Sequence, residues 1–233
     1  MADYTLYYWS VPFRGQFVRA VLAFAGKNWR EGGDEAISKL MEGPVADMPL
    51  PFMGPPVLVD EAAGVAISQM GAIVSYLGET LDLLPADPGL RALTLKVTLD
   101  ANDLIDELTR NGGESLWTPE SWRDYQPRLR KWMSFWEETG RRHGLVADAG
   151  FLLGGESPGV ADVVSATLWS TMADRLPKLG AILQDAAPMT AALARRVSAL
   201  PRLAHLAEKA RRDYGDAWCG GQIEASLRKV LGD

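Results

Sequence analysis

The constraint that matters most lies at the start of the chain, where an aromatic strand pattern passes without a break into a helical one. Tyr4, Leu6 and Tyr8 alternate with Thr5 and Tyr7 in Tyr4-Thr5-Leu6-Tyr7-Tyr8-Trp9-Ser10-Val11-Pro12-Phe13-Arg14, the pattern of a half-buried strand. Beyond Ser10 the period changes: Pro12 suits a helix start, and Phe13, Phe17, Val18, Val21, Leu22 and Phe24 recur at helical spacing. Strand and helix therefore meet at a joint bearing the Ser10 hydroxyl, whose ordinary alternative to a chemical role is a plain helix N-cap. A helix start presents unpaired N–H groups and the positive end of the helix dipole, so the joint suits an anion.

Gly26 is expected to end this helix as its C-cap, and a short second strand is expected near Trp29. A short helix around Ala36–Met41 precedes loop. Pro55 to Asp60 reads as a strand, Val65 and Ile67 as another, and Met70–Tyr76 as a helix. Leu84-Pro85-Ala86-Asp87-Pro88-Gly89 punctuates the chain. A long helix follows through Leu90–Leu108 and ends near Asn111-Gly112-Gly113. Thr118-Pro119 opens a second that runs to Arg142. Further helices are expected from Ser157-Pro158, Pro188 and Pro201, and a last one after Gly220-Gly221. The expected class is a small α/β unit followed by an all-helical one.

Composition narrows the function. The net charge of −6 and pI near 5.1 argue against nucleic acid or an anionic membrane as partner. No apolar run approaches the roughly 18 residues that span a bilayer, and the N-terminus lacks a signal-peptide pattern, so a cytoplasmic location is expected. Cys219 is the one cysteine, which excludes an internal disulfide. His143 and His205 lie far apart and without cysteine partners, so no zinc site is expected.

The order of motifs resembles the soluble glutathione transferase superfamily across nearly the whole length. Pro55-Pro56-Val57-Leu58-Val59-Asp60 is similar to the family's cis-proline strand, with Pro56 at the cis position. Ile67-Ser68-Gln69-Met70 resembles the segment carrying the family's Gln/Glu-Ser pair. Leu84-Pro85 resembles its interdomain link, Gly159-Val160-Ala161-Asp162 its late capping box, and Leu200-Pro201-Arg202-Leu203 its Pro-Arg pattern. The resemblance implies a thioredoxin-like domain over residues 1–82, a link over 83–88 and an all-helical domain over 89–233. It also implies a homodimer that binds glutathione as co-substrate and holds an apolar electrophile, with no metal.

Two hydroxyls compete to stabilise the glutathione thiolate. Ser10-Val11-Pro12-Phe13-Arg14 resembles the serine-type, theta-like members without a gap and is preferred. Tyr8 followed by Arg14-Gly15 resembles the tyrosine-type members with two extra residues between. The resemblance further implies that Arg14, Pro55, Pro56, Gln69 and Met70 hold glutathione. Asp103, in Asn102-Asp103, would reach the γ-glutamyl amine bound to the neighbouring subunit. Trp9, Phe13, Trp117, Trp122 and Tyr125 would line the electrophile pocket. Two positions depart from the family pattern: Pro55 has no N–H for the cysteinyl unit, and Met70 replaces the serine that receives the γ-glutamyl carboxylate. These departures leave a second possibility, a non-catalytic member of the same fold used for ligand binding or protein interaction.

Overall fold

The computed structural model describes residues 3–232. Its first unit is β1 (Tyr4–Tyr7), α1 (Phe13–Phe24), β2 (Trp29–Glu31), α2 (Asp34–Glu42), a 3-10 turn at Val45–Asp47, β3 (Val57–Asp60), β4 (Val65–Ser68) and α3 (Met70–Thr80). The four strands form one sheet in the order β2-β1-β3-β4. β1 runs parallel to β2, while β3 is antiparallel to both β1 and β4. The crossover through α1 supplies the length that parallel pairing requires.

The registers matter for function. Tyr7 pairs with Val57, and Val57 with Ser68. Continued by one residue, the same ladders set Tyr8 beside Pro56 and Pro56 beside Gln69. Neighbouring strands lie about 4.8 Å apart, so these residues form a row roughly 10 Å long at one end of the sheet.

The remainder is helical: α4 (Pro88–Leu108), α5 (Arg110–Gly113), α6 (Pro119–Arg142), α7 (Val160–Arg175), α8 (Pro177–Ala186), α9 (Pro188–Ser198), α10 (Pro201–Tyr214) and α11 (Gly221–Leu231). Five of these helices start with proline at the first position, where its missing N–H costs nothing. α7 is the centre of this region. Val160, Val163, Val164, Leu168, Trp169 and Met172 bury it on every side, against α1, α4, α8 and α9. Asp162, buried at its first turn, accepts N–H bonds from Gly159 (2.9 Å) and Leu152 (2.7 Å). Gly159 has no side chain to return the bond, so only the carboxylate half of the capping box exists. Arg202 of α10 donates to the Phe24 carbonyl at the end of α1 (3.2 Å) and joins the two units.

Three sequence expectations need correction. The residue before α1 is Pro12, in helical conformation and without a side-chain cap, so Ser10 is not the N-cap. The helix expected from Ser157-Pro158 begins at Val160 and stops at Arg175, because Pro177 starts a separate helix. The end of the long helix is not a plain stop at Asn111-Gly112-Gly113. α4 stops at Leu108, and Arg110, Asn111, Gly112 and Gly113 all take positive φ.

Candidate active site

Tyr8 follows β1 at the sheet end of the row, 3% exposed, and its hydroxyl oxygen accepts the Arg14 backbone N–H at 3.1 Å. Its ring lies on Gly15, where an added Cβ would come within 2.3 Å of the ring, so only glycine lets the tyrosine lie flat against α1. No acceptor takes the tyrosine's own proton among the described residues. Burial pushes its pKa up to about 12, against the opposing pull of Arg14 and Arg19. Tyr8 is therefore a proton donor, not a base, at any physiological pH.

Ser10 sits differently. It is exposed, and its backbone N–H donates to Asp34 at the start of α2 (2.7 Å), which ties it toward the β2 edge. Arg19, 2% exposed, shapes the loop between Tyr8 and α1 by donating to the Val11 carbonyl (3.0 Å) while pairing with Glu31 (2.9 Å). Phe13 at the start of α1 has φ +29, and its N–H donates to the Trp218 carbonyl (3.1 Å).

On the other side of the row, the peptide bond between Pro55 and Pro56 is cis. Gln69, exposed, has φ +73 and precedes α3, which has no side-chain cap and no acidic residue in its first turn. Its first amides are the unpaired donors of any helix start, an anion site still open. The Met70 side chain is buried in the core, so it presents only its backbone there. Arg14 is already engaged by α4: it donates to Asn102 (3.1 Å) and pairs with Asp106 (2.9 Å). Asp103, on the same helix, is exposed.

The five aromatic residues expected in one pocket fall into separate groups. Trp117, Trp122 and Tyr125 pack together with ring centroids 5.1–6.1 Å apart. The Trp117 indole N–H is spent on the Leu108 carbonyl (2.8 Å). The Tyr125 hydroxyl donates to Glu107 (3.1 Å), and burial with that carboxylate raises its pKa far above the ordinary tyrosine value. Trp117 and Trp122 are thus core of the joint between α4 and α6, and a cavity of about 410 Å³ beside them is lined by Glu107, Arg110, Tyr125 and Arg128. Phe13 belongs elsewhere, edge-on to Trp218 at 5.3 Å. Trp9 is half-buried next to Tyr8.

Trp218 is the residue that sequence reasoning missed. It belongs to a cover made by the C-terminal residues. Glu224 accepts N–H bonds from Trp218 (2.9 Å), Cys219 (2.8 Å) and Gly220 (2.6 Å), and pairs with Arg228 (2.6 Å). Ser226 accepts the Trp117 backbone N–H (3.0 Å), so α11 touches both aromatic groups. The signal was present as Gly220-Gly221 followed by Glu224, an acid in the first turn of a helix. Burial and the Glu224 charge push the Cys219 thiol up to about 12, so it stays protonated and unreactive. Among the described residues no group of three or more His, Cys, Asp or Glu could hold a metal ion, and no helix is long and apolar enough to cross a membrane.

Comparison with known proteins bears on the fold and the family. No curated protein matches the sequence. Solved structures do. The chain is similar to a monomeric glutathione S-transferase, Na-GST-3, of the hookworm Necator americanus, with 21% identity over 89% of this chain and 97% of that one and a TM-score of 0.71. A Nu-class enzyme of Haemonchus contortus gives 22% identity over 90% and 98%, TM-score 0.70. A Pi-class enzyme of Onchocerca volvulus gives 18% over 94% and 98%, TM-score 0.72. At these identities the likeness shows the fold. The family is shown by a second finding, a model of the glutathione S-transferase C-terminal domain that matches residues 93–230, more than half of the chain. The chain belongs to the glutathione S-transferase family.

Proposed function

We propose that the chain is a glutathione-dependent transferase in which Tyr8, rather than Ser10, keeps the glutathione sulfur ionised for attack on an apolar electrophile. One observation carries the choice. The Tyr8 hydroxyl is oriented by the Arg14 N–H, stays protonated, and has its own proton free at the end of the row that continues through Pro56 to Gln69. Ser10 is tied by Asp34 to the opposite edge of the sheet.

The magnitudes are consistent. A free cysteine thiol has a pKa of about 8.5, and lowering it by two units takes about 2.7 kcal/mol. A hydrogen bond to a charged group contributes about 1.5–3 kcal/mol, and the start of α1 adds about 0.3–1 kcal/mol. The thiol proton leaves to solvent, the thiolate forms the S–C bond, and the electrophile's leaving group departs with the bonding pair or, in an addition, the carbon framework accepts it.

Residues 1–82 would hold the tripeptide. The Pro55 carbonyl accepts the cysteinyl N–H. The reciprocal bond is lost because Pro55 has no N–H, a net cost of about 0.5–1.5 kcal/mol. Gln69 and the Met70 N–H take the γ-glutamyl end at the open start of α3. In a homodimer the exposed Asp103 would reach the partner's ligand, whereas Arg14 acts through α4. Residues 89–233 would close the electrophile side, where Trp9, Phe13 and Trp218 lie near Tyr8. This reading places the protein in the cytoplasm, the compartment rich in reduced glutathione.

Calorimetry with glutathione, paired with an aryl-halide conjugation assay on the same sample, tests the reading. It predicts millimolar or tighter binding and turnover. No heat at millimolar glutathione would instead support the second reading, a non-catalytic binding protein, which Pro55 and Met70 favour by removing two ordinary contacts.

A further inference from the structure

A cavity of about 660 Å³ lies at the end of α1 remote from Tyr8. It opens between the link after α3, the start of α4 and the loop that leads into α7, and Phe24 stands in its wall, about 16 Å along α1 from Phe13. Its size is within the range of about 300–1000 Å³ usual for small-molecule sites. Two glycines set its shape. At Gly78 an added Cβ would lie 2.9 Å from Leu84 and 3.3 Å from Val160, and at Gly159 it would lie 3.6 Å from the Leu83 carbonyl oxygen. The link and the loop therefore run side by side.

Most of the wall is hydrocarbon. Phe24, Leu83, Leu84, Phe151, Leu153 and Leu200 pack against the core, yet each is only half-buried and borders the cavity. Apolar surface gathered in one concavity, rather than scattered singly over the molecule, marks a place where an apolar body can be taken out of water.

The charge of the wall has one sign. Its ionisable groups are Asp82, Glu156 and Asp162, and no Lys, Arg or His lines it. Asp162 is buried and spent on the Leu152 and Gly159 amides. Asp82, on the link, and Glu156, on the loop, are exposed at the rim, and neither carboxylate has a hydrogen bond or ion pair among the described residues. Arg91 and Arg202, close by in sequence to the wall or bonded to it, are engaged with Glu79 and with the Pro85 and Phe24 carbonyls. An anion entering here would meet carboxylates and no counter-charge, whereas a cation would gain a charge-assisted hydrogen bond at the rim. We propose that this cavity is a second binding site, independent of the Tyr8 row, for a protonated apolar amine. Its hydrocarbon body packs on the leucines and phenylalanines, and its ammonium group reaches the Asp82 and Glu156 carboxylates.

The test uses the full chain and three probes that share one ring system and differ in charge: 1-naphthylmethylamine, 1-naphthalenemethanol and 1-naphthylacetate. Binding is read by calorimetry at neutral pH, with and without saturating glutathione. The amine should bind saturably, about tenfold tighter than the alcohol, with the acetate weakest and with no displacement by glutathione. Asp82→Asn combined with Glu156→Gln should bring the amine down to the affinity of the alcohol; both side chains are exposed and unpaired, so the fold does not depend on them. Leu153→Trp fills the cavity and should weaken amine and alcohol alike by about tenfold. Neither variant should change glutathione affinity. If Leu153→Trp does not fold, the charge variant alone decides. Four results would overturn the proposal: no saturable binding of the amine at millimolar concentration, acetate binding as tightly as the amine, amine affinity unmoved by the charge variant, or displacement of the amine by glutathione.

Discussion

The turns that lead into two helices of this molecule treat their polar backbone differently. In the turn just before α11 the amides of Trp218, Cys219 and Gly220 converge on one carboxylate oxygen of Glu224, so the chain supplies its own anion there. At the start of α3 there is no side-chain cap and no acid in the first turn, and the preceding Gln69 is held in a left-handed conformation. The first start is closed and holds the C-terminal cover in place. The second is open, beside the cis Pro55–Pro56 bond and across from Tyr8. The difference bears on the proposed ligand site: the donors before α11 are already filled from within the chain, whereas those of α3 are left for the proposed tripeptide.

The comparison can be broken at either end. The largest effect is expected from emptying the closed start. Glu224→Gln removes the charge shared by three amides and leaves Arg228 without its carboxylate, though still bonded to the Arg175 and Asp216 carbonyls, a loss of about 3 kcal/mol in chemical unfolding. Acid should do the same to the unmodified chain. Burial alone would raise the Glu224 pKa, but the bonds from Gly220, Arg228, Trp218 and Cys219 outweigh it and hold it below the ordinary value. An acid whose pKa is depressed by folding stabilises fully above its unfolded pKa of about 4.5. That contribution disappears as the pH falls below this value toward the folded pKa. Trp218 fluorescence should report release of the cover in that window, and Glu224→Gln should abolish the pH dependence.

Next in size is Tyr8→Phe, expected to lower kcat/KM about 100-fold at neutral pH, equivalent to about 2.7 kcal/mol. If the proposed reaction holds, the rate in the unmodified chain should rise with pH through the ionisation of bound glutathione, with no downturn from Tyr8 until about pH 12. A smaller effect tests the open start directly. Ala72 is exposed in the first turn of α3, so Ala72→Glu supplies an internal anion where none exists. Glutathione affinity should fall about tenfold while the fold gains about 0.5 kcal/mol. Unchanged affinity would show that the α3 amides do not hold the ligand. Smallest of all is Ser10→Ala, expected to change kcat/KM by less than about twofold.

The fold was legible wherever local chemistry decides it. Thr118-Pro119 marked a helix start, whereas the cis bond at Pro55-Pro56 came from the family resemblance and α4 begins at Pro88, within the stretch read as punctuation. Local signals failed where neighbours override them. Pro177 was hidden because apolar residues continue on both sides of it, so one helix was expected where two exist. Ser10 has the residue type of an N-cap, but Arg19 and Asp34 hold the loop so that α1 begins only at Phe13. The aromatic candidates could be picked by type, yet their grouping was not visible. Trp117, Trp122 and Tyr125 point into the joint between α4 and α6, while Phe13 meets Trp218 from the far end of the chain, about 200 residues away. Contacts over such separations leave no period or spacing to read.

The central claim is that Tyr8 donates to the glutathione sulfur. Spectrophotometric titration of the thiolate in the bound tripeptide measures it directly, in the unmodified chain, Tyr8→Phe and Ser10→Ala. The account predicts a bound thiol pKa about two units below the free value near 8.5 in the first and last, returning most of the way to the free value in Tyr8→Phe. A pKa that stays low in Tyr8→Phe and rises in Ser10→Ala would contradict it.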